Sequence, residues 1–112
     1  MEAKKIIDIL HEDKVGISCE LFPPKVGTEL DNALHIVDEI AKVNPSYMSV
    51  TYGAGGGTSQ YTLDIAKNIQ EKCNVPMLAH LTCVGATKES LEAQIEEFKQ
   101  RGIQNILALR GD

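Results

Sequence analysis

At 112 residues, 43% hydrophobic and 24% charged, the chain has the composition of one soluble domain with a modest core. A formal net charge of -5, with 4% aromatic residues and no Trp, argues against the basic surface that nucleic acid or an anionic membrane selects and against a base-stacking platform. Charges interrupt every apolar run of the opening MEAKKIIDILHED, so it reads as neither a signal peptide nor a spanning segment, and a cytoplasmic protein is expected.

Ala3, Ile6, Ile7 and Leu10 fall at helical spacing and predict a short amphipathic helix over 2–11. The stretch 16–25, GISCELFPPK, reads as a strand with Ile17, Cys19 and Leu21 on one face and Ser18, Glu20 and Phe22 on the other. Pro23 and Pro24 cannot donate to a strand ladder, which ends the strand at about Phe22 and leaves Glu20 near its carboxyl end. Thr28 is the predicted cap of a helix with an apolar stripe of Leu30, Ala33, Leu34, Val37, Ile40 and Ala41, stopped by Asn44 and Pro45. In 46–52, SYMSVTY, Met48 and Val50 alternate with Ser49 and Thr51, and Thr51 repeats Glu20's relation to its strand end. The GAGGG of 53–57 allows close approach of a ligand to the backbone, and Thr58 or Ser59 caps a helix carrying Leu63, Ala66 and Ile69 that ends around Asn74 and Pro76. In 77–83, MLAHLTC, Met77, Ala79 and Leu81 alternate with Leu78, His80 and Thr82. Thr87 caps the next predicted helix, with Leu91, Ile95 and Phe98 along one side and Gly102 at its end. The last run, 105–112, NILALRGD, places Ile106, Ala108, Arg110 and Asp112 on one parity, which the strand-end pattern extends to two more charged groups at the rim.

Glu20, Thr51, His80 and Arg110 lie about 30 residues apart, the length of one βαβ unit. Four such alternations predict an α/β fold of parallel strands joined by right-handed crossovers, with polar side chains gathered at the carboxyl ends of the strands, where such folds keep their active sites.

Each motif also has a plainer reading. GAGGG is neither a dinucleotide fingerprint, because position 58 is Thr, nor a P-loop, because no GK[ST] follows, and alone it is an ordinary βα turn. His80 alone fits a hydrogen-bonded core residue, and Arg110 with Asp112 fits a surface ion pair. Glu20 is harder to explain by structure, since a carboxylate with apolar flanks and no Lys or Arg in its strand is costly to bury. Cys19, Cys73 and Cys83 are odd in number and lack CxxC spacing, which predicts reduced thiols and no metal site. None of Lys25, Lys42, Lys67, Lys72 or Lys88 falls inside a predicted strand, where a Schiff-base lysine of a barrel aldolase would sit.

SCELFPPK, SVTYGAGG, AHLTCVG and ILALRGD, in this order and spacing, resemble the methylenetetrahydrofolate reductase family from about Gly16 to Asp112. The resemblance implies a (β/α)8 TIM barrel holding FAD at the carboxyl ends of its strands, of which residues 1–112 supply the first four βα units, a half barrel. It implies that NADH or NADPH reduces the flavin, which then reduces 5,10-methylenetetrahydrofolate to 5-methyltetrahydrofolate. Glu20 then matches the general acid that opens the folate ring, and Asp112 a catalytic group at the flavin's pyrimidine edge and the pterin. Thr51, Tyr52, Ala54, His80, Arg110, Gly111 and Asp112 match flavin-binding positions. A homo-oligomer or a heteromeric reductase complex is expected for the full-length form. A half barrel exposes two sheet edges, so a fragment of a reductase is expected, with a self-pairing half barrel, a non-catalytic module and a flavin-free barrel lyase or aldolase as alternatives.

Overall fold

A computed structural model describes residues 4–24, 27–52 and 59–110. Four strands, β1 (Ser18–Leu21), β2 (Tyr47–Val50), β3 (Met77–Thr82) and β4 (Ile106–Leu109), form one parallel sheet in the order β1-β2-β3-β4. Helices α1 (Ile6–Leu10), α2 (Leu30–Ala41), α3 (Ser59–Asn68) and α4 (Lys88–Gln100) alternate with them. Each strand pairs with the next in sequence, an order compatible with half of a closed parallel barrel.

The strand register fixes which parity faces what. Leu21 pairs with Val50, Val50 with Ala79 and Ala79 with Ile106, so this parity runs through one layer. Met48, Val50, Met77 and Ala79 are fully buried in that layer against Val37 of α2, Leu63 and Ala66 of α3, and Phe98 of α4. Burying such side chains contributes about 1.5–3 kcal/mol each, which is what holds the helices to the sheet. The opposite parity, Glu20 with Ser49 and Leu78, then His80 with Leu107 and Thr82 with Leu109, faces away from α2, α3 and α4.

Local chemistry sets the helix ends. Thr87 caps α4 as expected: its hydroxyl accepts from the Ser90 amide at 3.1 Å while the Ser90 hydroxyl accepts from the Thr87 amide at 2.9 Å. Gly102 closes α4 at φ 74. Asn44 and Asn74 sit left-handed at φ 55 and 53, which Asn tolerates, where α2 and the π-turn Ile69–Cys73 after α3 finish. Two local expectations are corrected. Thr28 lies inside a 3₁₀ turn, Gly27–Glu29, and Glu29 takes the cap position of α2 without a side-chain hydrogen bond. In α1 the buried pair is Ile6 and Ile9, whereas Ile7 and Leu10 are exposed. The reason is a tertiary anchor: the buried Asn105, at the foot of β4, accepts from the Ile6 amide and donates to the Lys4 carbonyl, both at 3.0 Å, and so sets the rotation of α1.

Among the described residues no helix is long and apolar enough to cross a membrane. Cys19, Cys73 and Cys83 are free thiols.

Candidate functional site

Glu20 and His80 meet on the open face of the sheet. His80 Nε2 lies 3.5 Å from Glu20 Oε1, with the imidazole 12% exposed and the carboxylate 50% exposed. The apolar-flanked carboxylate therefore has a partner, from two strands away rather than from its own. The crossing runs over β2, where Ser49, the register partner of Glu20, is buried at 6% exposure. Two strand spacings separate β1 from β3, about 10 Å, so neither side chain reaches the other unless the residue between them is small.

Thr51 stands just past the end of β2, half-buried, and its backbone is held on both sides. Its amide donates to the Leu21 carbonyl at 2.9 Å, and its carbonyl accepts from the fully buried Thr62 hydroxyl of α3 at 2.9 Å. The next residue turns the other way. Tyr52 packs against the helix-facing core, and its hydroxyl accepts from Gln94 Nε2 of α4 at 2.6 Å. The buried Gln94 Oε1 has no hydrogen-bond partner among the described residues. Only the backbone of Tyr52 therefore remains to face a ligand at the strand ends.

For β4 the expected parity is corrected. Ile106 pairs with Ala79 and Ala108 with Leu81, so the parity assigned to the rim belongs to the helix-facing layer. The exposed Arg110 follows Leu109 on that parity, one residue past β4. The run Ile106-Leu107-Ala108-Leu109 is apolar throughout, so alternation carried no sign of which residues face the helices. Ala54, Gly111 and Asp112 lie outside the described residues. The structure thus brings Glu20 and His80 together across β2, between Ser49 and Thr51. Ser49, Thr62 and Gln94 had no assigned role in the sequence reading; the one available signal was a small or polar residue within an apolar strand or stripe.

Away from this face, Arg101 bridges Asp64 and Glu97, each at 3.2 Å. Asn68 Nδ2 donates to Asp38 Oδ1 at 3.1 Å, and the half-buried Cys73 thiol to the same oxygen at 3.5 Å. Burial first, and then the Asp38 carboxylate, push the Cys73 thiol up to about 11, which marks it as a packing group rather than a nucleophile. No group of three or more His, Cys, Asp and Glu side chains able to hold a metal ion occurs among the described residues.

Comparison with known proteins meets this geometry independently. The family model described as methylenetetrahydrofolate reductase matches residues 5–112. The chain is 40% identical over 113 residues to methylenetetrahydrofolate reductase 1 of Schizosaccharomyces pombe, covering 96% of the chain and 19% of that protein. It is 38% identical over 109 residues to methylenetetrahydrofolate reductase (NADH) 1 of Zea mays, covering 97% of the chain and 18% of the relative. To 5,10-methylenetetrahydrofolate reductase of Escherichia coli it is 33% identical over 101 residues, 90% of the chain and 34% of the relative. The chain therefore spans between about a fifth and a third of the length of these relatives. A match along almost the whole chain, from plant, yeast and bacterial relatives alike, gives the conclusion that the chain belongs to the methylenetetrahydrofolate reductase family.

Proposed function

We propose that this chain forms the first four βα units of a (β/α)8 barrel that reduces 5,10-methylenetetrahydrofolate to 5-methyltetrahydrofolate with FAD and NADH or NADPH. The observation that carries the reading is the meeting of Glu20 and His80 on the open sheet face, next to the pinned backbone of Thr51. The names of the relatives support the substrate class, and that of the Zea mays relative, methylenetetrahydrofolate reductase (NADH) 1, supports a nicotinamide reductant.

The residues present suit a flat heteroaromatic ring. Leu78, Leu107 and Leu109 give the open face an apolar floor, while Ser49, Thr51, His80 and Thr82 add a few polar groups, the mixture by which small-molecule sites fix orientation. Thr51, the Tyr52 backbone and His80 would hold FAD, together with Ala54, Arg110, Gly111 and Asp112 by resemblance. When bound, FAD supplies the hydride chemistry between nicotinamide and folate. Glu20 holds a proton for the ring nitrogen that leaves as the folate ring opens, and Asp112 serves the pterin side. None of the four described strands carries a lysine, which argues against the Schiff-base aldolase.

The test uses the full-length protein. It is expected to purify with flavin absorbance and to oxidise NADH or NADPH in the presence of methylenetetrahydrofolate. Glu20→Gln should slow folate reduction by about 10²–10⁴-fold, the usual contribution of a general acid. A protein without flavin, or an unchanged rate in Glu20→Gln, overturns the reading.

A further inference from the structure

We propose that His80 acts through Glu20, as the positioning residue that orients this carboxyl group and returns a proton to it, and that Ser49 is the gap through which the two meet. The proton role rests on the reductase reading of Glu20; the contact does not.

The first observation is the crossing itself. Glu20 and His80 belong to strands that are not neighbours, yet they lie 3.5 Å apart. On β2 the crossing passes between Ser49, level with Glu20, and Thr51, the residue after the Val50 that pairs with Ala79; Ser49 is nearly fully buried, and a larger side chain there would intrude on the space the pair uses. The second is the difference in exposure. Half of the Glu20 side chain faces solvent while the imidazole behind it is almost covered. A substrate lying on Glu20 closes the solvent side, and the imidazole then remains as the adjacent proton source. The third is the surroundings of His80. Its neighbours on the same face are Ser49 and Thr51 from β2 and Leu107 and Leu109 from β4, while Arg110 follows on the other parity. Among the described residues of the sheet, Glu20 is the titratable group that faces it. Imidazole is also the side chain suited to exchange protons across physiological pH.

Glu20 gives its carboxyl proton to the substrate nitrogen; the His80 ring then takes a proton from water on its other nitrogen and passes its Nε2 proton to Glu20 Oε1, restoring the carboxylic acid and leaving neutral imidazole.

Two measurements separate the contact from the chemistry. In the full-length protein, with only histidine and glutamate side chains left protonated in a deuterated background, a nuclear Overhauser cross-peak between the His80 ring Hε1 and the Glu20 γ protons is expected, retained in Ser49→Ala and abolished in Ser49→Leu. Absence of the cross-peak from the unsubstituted chain overturns the contact, whether or not Ser49→Leu folds; so does its survival in a folded Ser49→Leu. In the full-length protein at saturating FAD, His80→Ala is expected to slow folate reduction about a hundredfold, and added imidazole to restore at least tenfold of the loss. A diffusible base can carry a proton but cannot restore packing. Rescue therefore supports the proton role, and failure of rescue with flavin absorbance intact overturns it. An unsubstituted full-length protein that reduces no methylenetetrahydrofolate overturns the reductase reading and the proton role with it, while leaving the cross-peak result standing.

Discussion

Thr62→Val tests whether the end of β2 is held in place from the helix layer. Thr62 is fully buried in α3, and its hydroxyl donates to the Thr51 carbonyl at 2.9 Å, just past the end of β2. Valine has nearly the same shape and a similar helix propensity, so the substitution acts chiefly by removing the hydroxyl. Losing the bond and leaving a partly buried carbonyl without it costs about 1–3 kcal/mol, and the added apolar group offsets about 0.8 kcal/mol of that, for a net loss of up to about 2 kcal/mol. Thr62→Ser keeps the hydroxyl and deletes one methyl, a loss of about 1 kcal/mol by cavity formation. Urea unfolding measures the two losses, but their similar size means stability alone does not separate the mechanisms. Hydrogen exchange does. The Thr51 amide, which donates to Leu21 at 2.9 Å, should exchange up to about 30-fold faster in Thr62→Val, the equivalent of about 2 kcal/mol of local opening, and keep its protection in Thr62→Ser. Equal Thr51 protection in the two variants would refute the anchoring argument, because Thr62→Ser keeps the hydroxyl that Thr62→Val removes.

Asn105→Ala removes both hydrogen bonds that tie α1 to the foot of β4, a loss of about 2 kcal/mol, and a five-residue helix without a tertiary anchor does not persist in water. The Ile6 amide should lose its exchange protection, while Asn105→Asp, which keeps the acceptor for that amide, should fall between; an Ile6 amide as protected in Asn105→Ala as in the parent chain would contradict the assignment. Cys73, raised from an ordinary 9.0 to about 11, should carry about a hundredfold less thiolate at pH 8 than an ordinary thiol, so iodoacetamide should label the exposed Cys83 well before it. Because the folded state holds the proton more tightly, this contribution to stability is complete below about pH 9 and is lost as pH rises toward 11. Asp38→Asn removes one of the two causes and should quicken Cys73 labelling; unchanged labelling would leave burial as the whole cause.

The limits of reading this site from sequence follow from what alternation encodes. Within β3 every second residue is buried, and within β2 the apolar Met48 and Val50 are, so Met77, Ala79 and Leu81 declared the helix-facing side and left His80 on the other. Glu20 was legible by the same argument. β4 has four apolar residues in succession, so counting from Arg110 backwards gave a parity but not a face, and only the pairing of Ile106 with Ala79 supplies it. In sequence Glu20 stands as a carboxylate without a partner, because its own strand holds no basic residue. The partner lies two strands and 60 residues away, and it is reached past a residue whose relevance is its smallness. Ser49 is one of the two β2 residues that flank the crossing, and the distance between β1 and β3 makes its small volume matter to whether the pair forms. A period-two pattern can tell which residues share a face; it cannot tell which small residue on that face leaves room for two large ones to meet.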